Sequence, residues 1–65
     1  MKLDDLTITR KANVLTVTHE TRGRLGTIDM TTGATKDSKR GNDVGSWVSG
    51  RGMSVAEVVA AMESE

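Results

Sequence analysis

The first half of the chain alternates apolar and polar residues with the period of two that is typical of half-buried β-strands. Two segments, residues 6–9 (Leu-Thr-Ile-Thr) and residues 14–18 (Val-Leu-Thr-Val-Thr), place apolar side chains between threonines. Residues 10–13 between them have the length of a hairpin loop, and Asn13 tolerates the positive φ that such turns use. We therefore predict a β-hairpin here, with threonines on the face that the core leaves uncovered.

A third strand is predicted at residues 25–30, where Ile28 and Met30 continue the alternation. Gly26 lies inside this strand, and a glycine there indicates a β-bulge or a close approach of another backbone segment. A short, polar fourth strand is predicted at residues 34–37. The strands of the predicted meander lie within residues 3–37.

The next stretch, residues 35–42, is polar and overlaps the end of that short strand. We predict a mobile loop here that orders on binding, because it has almost no apolar surface to bury. Val44, Trp47 and Val48 then return the chain to the core, and we predict a last short strand for them. A Gly-rich joint at residues 49–52 leads into the final element.

That element is a helix over residues 54–64, the best-specified element of the chain. Ser54 and Glu57 have the spacing of a capping box, and Met53 and Val58 have that of a hydrophobic staple. An apolar stripe at i, i+3, i+4 and i+7 predicts the buried face of the helix: Val55, Val58, Val59 and Met62.

These elements predict an α+β fold in a single domain, residues 1–65. It is a small antiparallel β-meander of three to four strands, with the C-terminal helix packed on one face. Trp47 is the only aromatic residue and there is no cysteine, so neither a large aromatic core nor a disulfide supports the domain. Small domains without such supports often depend on oligomerisation, and the sheet has an unblocked edge. We therefore expect a homodimer or a stable complex with a protein partner.

The charge and hydropathy of the chain argue against some classes of function. Nine basic residues balance nine acidic residues, whereas a nonspecific nucleic-acid binder usually has a large basic excess. No apolar run reaches the roughly 20 residues of a membrane span. The first five residues are partly acidic and lack the apolar stretch of a signal peptide. We therefore expect a cytoplasmic protein without a membrane partner.

Catalytic chemistry has little support in the sequence. His19 is the only histidine, and cysteine and tyrosine are absent. His19 and Glu20 form a histidine–carboxylate pair on paper, but a nucleophile, an orienting group and an oxyanion site are also required. The carboxylates are scattered, and none has calcium-loop spacing. We predict no enzymatic activity, no catalytic or metal-binding residue and no cofactor.

The candidate partner-binding residues are mostly basic and lie in predicted turns and the polar loop: Arg22, Arg24, Lys36, Lys39, Arg40, Trp47 and Arg51. Because successive turns of a meander lie at opposite ends, these residues need not form one patch. Trp47 has two interpretations: an anchor between helix and sheet, or an exposed hot spot for a partner. Arg51, between two glycines before the helix, contacts an anion in one interpretation and belongs to a flexible joint in the other.

The function predicted from these features is a small non-enzymatic protein-binding accessory or inhibitory module. Small cysteine-free domains of this kind occur among phage and mobile-element inhibitors of host defence proteins, an analogy of size and class. The first alternative is a small nucleic-acid-binding regulator that uses the basic turns and loop. The second alternative is a structural subunit of a larger assembly.

Overall fold

The computed structural model describes residues 1–38 and 43–64. Five strands and two helices follow one another along the chain: β1 (Lys2–Leu3), β2 (Leu6–Lys11), β3 (Val14–His19), β4 (Gly23–Asp29), β5 (Thr35–Asp37), α1 (Val44–Ser49) and α2 (Val55–Glu63). Each strand pairs antiparallel with the next, in the spatial order β1-β2-β3-β4-β5. The predicted α+β meander with a C-terminal helix is confirmed, with one strand more than expected because β1 was not predicted.

The core lies between one face of the sheet and the two helices. Its fully buried side chains come from both layers: Leu6, Ile8, Leu15, Val17, Leu25, Ile28, Val44, Val48 and Val58. Met62 and Met30 are almost as deeply buried. The predicted apolar stripe of α2 faces this core, with Val58 and Met62 buried and with Val55 and Val59 half-buried at its edges.

The prediction of a last short strand at Val44, Trp47 and Val48 is wrong, because these residues form α1. Asp43 is the N-cap, and its carboxylate accepts hydrogen bonds from the backbone N–H groups of Gly45 and Ser46 at 3.0 and 3.4 Å. Val44 and Val48 are one helical turn apart, so both reach the core from the same side of the helix. Burial of this pair stabilises a helix that is too short to form alone.

The Gly-rich joint is a hydrogen-bonded turn. Met53 donates its backbone N–H to the Val48 carbonyl at 3.2 Å, and Gly52 donates to Ser49 at 3.0 Å. With Gly52 at a φ of +84°, these bonds form a Schellman motif that closes α1. The turn therefore sets the direction from which the chain enters α2.

The start of α2 follows the prediction. Ser54 accepts the backbone N–H of Glu57 at 3.1 Å, while the Glu57 carboxylate accepts the backbone N–H of Ser54 at 3.0 Å. Both bonds of the capping box are present. Met53, just before the cap, is half-buried and packs against the core.

Gly26 lies both at a β-bulge and at a close approach, as predicted. Val17 pairs with Gly26 but Thr18 pairs with Arg24, so Leu25 is the extra residue of β4. A Cβ atom added at Gly26 would overlap the Lys36 carbonyl oxygen and a Val44 methyl group. The absence of a side chain at this position lets α1 approach the sheet.

The turns differ from the predictions in two places. In the β2–β3 hairpin the residue with positive φ is Ala12, at +54°, and not Asn13. The predicted fourth strand is present as β5, so the first three residues of the predicted polar loop belong to the sheet. Residues 39–42, the rest of that loop, lie outside the described residues.

Candidate functional site

One face of the sheet carries no helix, and its side chains are exposed or half-buried. The strand registers and the alternation of side chains define this open sheet face: Lys2, Thr7, Thr9, Lys11, Val14, Thr16, Thr18, Arg24, Thr27, Asp29 and Lys36. Val14, at 44% exposure, is the exposed large apolar side chain of this face. Threonine is the commonest residue of this face, at five of the eleven positions, whereas the sequence predicts a face that is mostly threonine.

The threonines lie in rows across the strands, with basic residues at the ends. Thr9, Thr16 and Thr27 are successive cross-strand partners, and Lys36 of β5 ends the row. A second row of threonines runs from Lys2 on β1 to Arg24 on β4. Among the strand residues of the open sheet face, Asp29 is the only carboxylate against four basic side chains. The face therefore carries positive charge although the chain as a whole is neutral.

A groove lies at the β4–β5 end of this face. Its volume is about 360 Å³, and it is lined by Arg24, Thr27, Lys36, Asp37 and Ser38. The Asp37 carboxylate accepts the backbone N–H of Val44 at 3.2 Å, so this acidic group is held toward α1. The groove brings together two of the predicted partner-binding residues, Arg24 and Lys36, which are well separated in the sequence.

Two other predicted residues, Arg51 and Trp47, meet on the helix side of the sheet. Arg51 donates from Nε and Nη2 to the two carboxylate oxygens of Asp5, at 2.6 and 2.8 Å, in a two-point contact. Its Nη1 donates to the Trp47 carbonyl at 3.1 Å, and the guanidinium carbon lies 4.9 Å from the Trp47 ring centre. Arg51 therefore holds α1 to the β1–β2 turn, and its guanidinium is occupied by groups of the same chain.

His19 completes this contact. Its Nε2 lies 2.7 Å from Asp5 Oδ2, and its Nδ1 accepts the backbone N–H groups of Thr21 and Arg22 at 3.1 and 3.2 Å. Two donors at Nδ1 assign the proton to Nε2, which donates to Asp5. The Thr21 hydroxyl also lies 3.1 Å from Nδ1. Thr21, His19 and Asp5 therefore follow one another in the hydroxyl, imidazole, carboxylate order that catalytic triads also have. Because Nδ1 accepts the backbone donors of Thr21 and Arg22, His19 stabilises the β3–β4 turn.

Trp47 is half-buried and lies at the centre of these contacts. The ring centres of Trp47 and His19 are 5.3 Å apart. The guanidinium carbon of Arg22 lies 5.4 Å from the Trp47 ring centre. Trp47 thus joins α1 to the sheet, whereas the predicted anchor lay between the sheet and the C-terminal helix. The predicted basic residues that the structure describes do not form one patch: Arg22 and Arg51 contact Trp47, and Arg24 and Lys36 line the groove. Lys39 and Arg40 lie outside the described residues.

Sequence reasoning missed some of the residues that matter here. Asp5, which holds both Arg51 and His19, has no sequence signal, because its two partners are distant in the chain. Lys2 and Lys11 reach the open sheet face through strand register. The alternation of β2 could have placed Lys11 there, since it continues the series that begins with Thr7 and Thr9.

The contact between Asp5 and Arg51 predicts a pH dependence of stability. Hydrogen bonds from Arg51, together with that from His19, hold the pKa of the Asp5 carboxyl well below its usual range, against the opposing effect of desolvation. A lowered pKa in the folded state gives stability that is complete above the unfolded-state pKa of about 3.9 and is lost as the pH falls below it. The variant Asp5→Asn should therefore have a lower free energy of unfolding than the wild type at pH 7. Below about pH 4 this difference should become smaller, because the wild type also loses the stabilisation as Asp5 is protonated.

Urea unfolding at pH 7, 4 and 2.5 measures this difference. Asp4→Asn is the matched control, since Asp4 is exposed and adjacent in sequence. The control should leave the wild-type pH dependence intact. Equal behaviour of the two variants would show that the Asp5 contact does not stabilise the fold.

Within residues 1–38 and 43–64, no three His, Asp or Glu side chains converge as metal ligands would. Neither helix described above has the length and apolar character to cross a membrane. The geometry thus singles out two features, the open sheet face and its groove.

Comparison of the chain with protein families, with curated proteins and with solved structures gave no match. The function of the open sheet face and its groove must therefore follow from their own chemistry.

Proposed function

We propose that this chain is a non-enzymatic protein-binding module, and that its open sheet face contacts an acidic surface of the partner. The observation that carries the proposal is the composition of that face: five threonines bordered by four basic side chains, with one carboxylate. Threonine hydroxyls both donate and accept hydrogen bonds, and they leave the face flat enough for a broad contact. Basic side chains at its borders favour an acidic partner and increase the rate of association.

The size of the molecule supports the use of a whole face. A standard protein interface buries about 800 Å² on each partner. The Cα atoms of the described residues extend over 27 × 21 × 18 Å. A partner would therefore cover most of the open sheet face. The helix side has its own apolar residues engaged in the core.

Nucleic-acid binding is the second candidate, and the four basic side chains of the open face support it. Sheets that bind single strands usually present aromatic rings on which bases stack. Here the single aromatic residue, Trp47, lies on the helix side, where it contacts His19. The absence of a stacking ring from the strand residues of the open face favours a protein partner.

Size, class and composition predict two more specific properties: inhibition of a host defence protein by a phage or mobile-element product, and a cytoplasmic location. A role as a structural subunit, or a homodimer paired through a sheet edge, would be tested by the solution mass. A homodimer of this kind would pair the open edges of β2 or β5. Lys11 lies in β2 and Lys36 lies in β5, and a lysine on an edge strand disfavours pairing with an identical edge because the like charges repel.

Glutamates on the open face should abolish partner capture. Thr7 and Thr9 are exposed on β2, so the double variant Thr7→Glu/Thr9→Glu places two negative charges on this face. The matched control, Ala56→Glu/Ala60→Glu, places the same two charges on the exposed side of α2. Immobilised protein would be used to capture partners from an extract of the native host, with thermal melts to verify folding.

We expect the wild type and the control to capture the same protein and the open-face variant to lose it by about tenfold or more, as removal of charge complementarity predicts. Loss in the α2 variant alone would assign binding to the helix side and contradict the proposal. Capture that falls steeply with added salt and disappears after nuclease treatment would favour the nucleic-acid alternative.

A further inference from the structure

The groove at the β4–β5 end of the open sheet face combines groups that bind a carboxylate. Arg24 and Lys36 contribute positive charge, and Thr27 and Ser38 contribute hydroxyl groups. A guanidinium donates two parallel hydrogen bonds to one carboxylate, whereas an ammonium acts as a compact point charge. Two adjacent cations of different geometry suit a ligand with more than one acidic side chain.

The charges around the groove favour an anion in spite of Asp37. The carboxylate of this residue accepts a hydrogen bond from the Val44 backbone at the start of α1. Asp37 also pairs with Gly26, whose other neighbour in the sheet is the buried Val17, so its side chain belongs to the covered side.

Two other basic residues that the structure describes have partners elsewhere. Arg22 lies against the Trp47 ring, and Arg51 binds Asp5 on the helix side of the sheet. Among the described residues, Arg24 and Lys36 are the basic pair that lines the groove. Its volume of about 360 Å³ lies at the lower end of the usual range for ligand sites, which is large enough for the side chains of a short peptide segment.

We propose that this groove is the anchor point of the partner, and that it binds the carboxylates of an extended acidic segment of a protein. This inference rests on the proposed function and specifies where the open face makes its strongest contact. The lining residues that the structure describes are all polar or charged, which does not suit an apolar anchor. None of them is aromatic, so they offer a nucleobase no ring to stack on, whereas a carboxylate is matched by guanidinium, ammonium and hydroxyl donors.

A defined peptide tests this anchor directly. The probe is a capped hexapeptide, Thr-Glu-Thr-Glu-Thr-Glu, titrated into ¹⁵N-labelled protein and followed by amide chemical shifts. Tetrathymidylate, whose three phosphodiesters match the charge of the three glutamates, is titrated in parallel. The variant Arg24→Gln/Lys36→Gln removes both charges of the groove. The control Ala56→Glu/Ala60→Glu changes the net charge by the same amount on the exposed side of α2, away from the open sheet face.

We expect the peptide to shift the amides of Arg24, Thr27, Lys36 and Ser38 most. The groove variant should weaken its binding by about fivefold or more, whereas the control should weaken it by less than about twofold, because screened surface charges at a distance contribute little. Equal weakening by both variants would overturn the anchor, because net charge alone would then account for the binding. Shifts spread evenly over the open sheet face would overturn the anchor and leave the open-face proposal standing. Tighter binding of tetrathymidylate than of the peptide would overturn both proposals.

Discussion

Replacing Gly26 with alanine should destabilise the domain more than any other small substitution, by about 3 kcal/mol or more. The added Cβ would overlap the Lys36 carbonyl oxygen on one side and a Val44 methyl group on the other. The first obstacle is backbone of β5, which cannot rotate away as a side chain can. Either β5 or α1 would have to move, and both border the core.

Urea unfolding of Gly26→Ala beside Gly50→Ala measures this effect. Gly50 has a φ of −61° and its added Cβ would lie 3.4 Å from the nearest atom, so that control should be neutral or slightly stabilising. The double variant Gly26→Ala/Val44→Ala should recover only part of the loss, since the Lys36 carbonyl remains. A Gly26→Ala protein as stable as wild type would contradict the close packing of β4, β5 and α1.

Val58→Ala should lower the free energy of unfolding by about 2 kcal/mol, the second largest expected effect. Val58 is fully buried where α2 packs on the sheet, so its removal loses the transfer free energy of two methyl groups and leaves a cavity. Val59→Ala should cost about half as much, because Val59 is only half-buried.

Ala60→Ser on the exposed side of α2 is the control and should change stability by less than about 0.5 kcal/mol. Thermal melts with calorimetry would rank the three variants. A loss for Ala60→Ser comparable to that for Val58→Ala would mean that the exposed side of α2 is also covered, as a second subunit would cover it.

The two short elements that sequence reasoning missed show the limits of local pattern. Val44, Trp47 and Val48 have helical spacing, and Asp43 stands at the N-cap, but so short an apolar segment is compatible with a strand as well. A helix of six residues is unstable alone, and it forms here because its two valines reach a core built by distant strands. β1 is two residues long and has no periodicity to detect.

Local chemistry by itself determined the longer elements and the presence of threonines on the open sheet face. The capping box at Ser54 and Glu57 satisfies backbone groups a few residues away, so it is readable without the fold. The alternation of threonine with Ile8 and Val17 likewise required a threonine face opposite the core. Gly26 indicated a bulge or a close approach, because a glycine inside a strand often marks one of the two.

Tertiary structure alone decided which charged residues meet. Arg51 and Asp5 are 46 positions apart, and Arg24 reaches the groove beside Lys36 only through the bulge and the pairing of β4 with β5. Sequence spacing predicts neighbours within one strand or one helix, where the geometry repeats. Across turns the partners of a side chain depend on register and on packing against the core, and charge interactions follow the resulting distances in space.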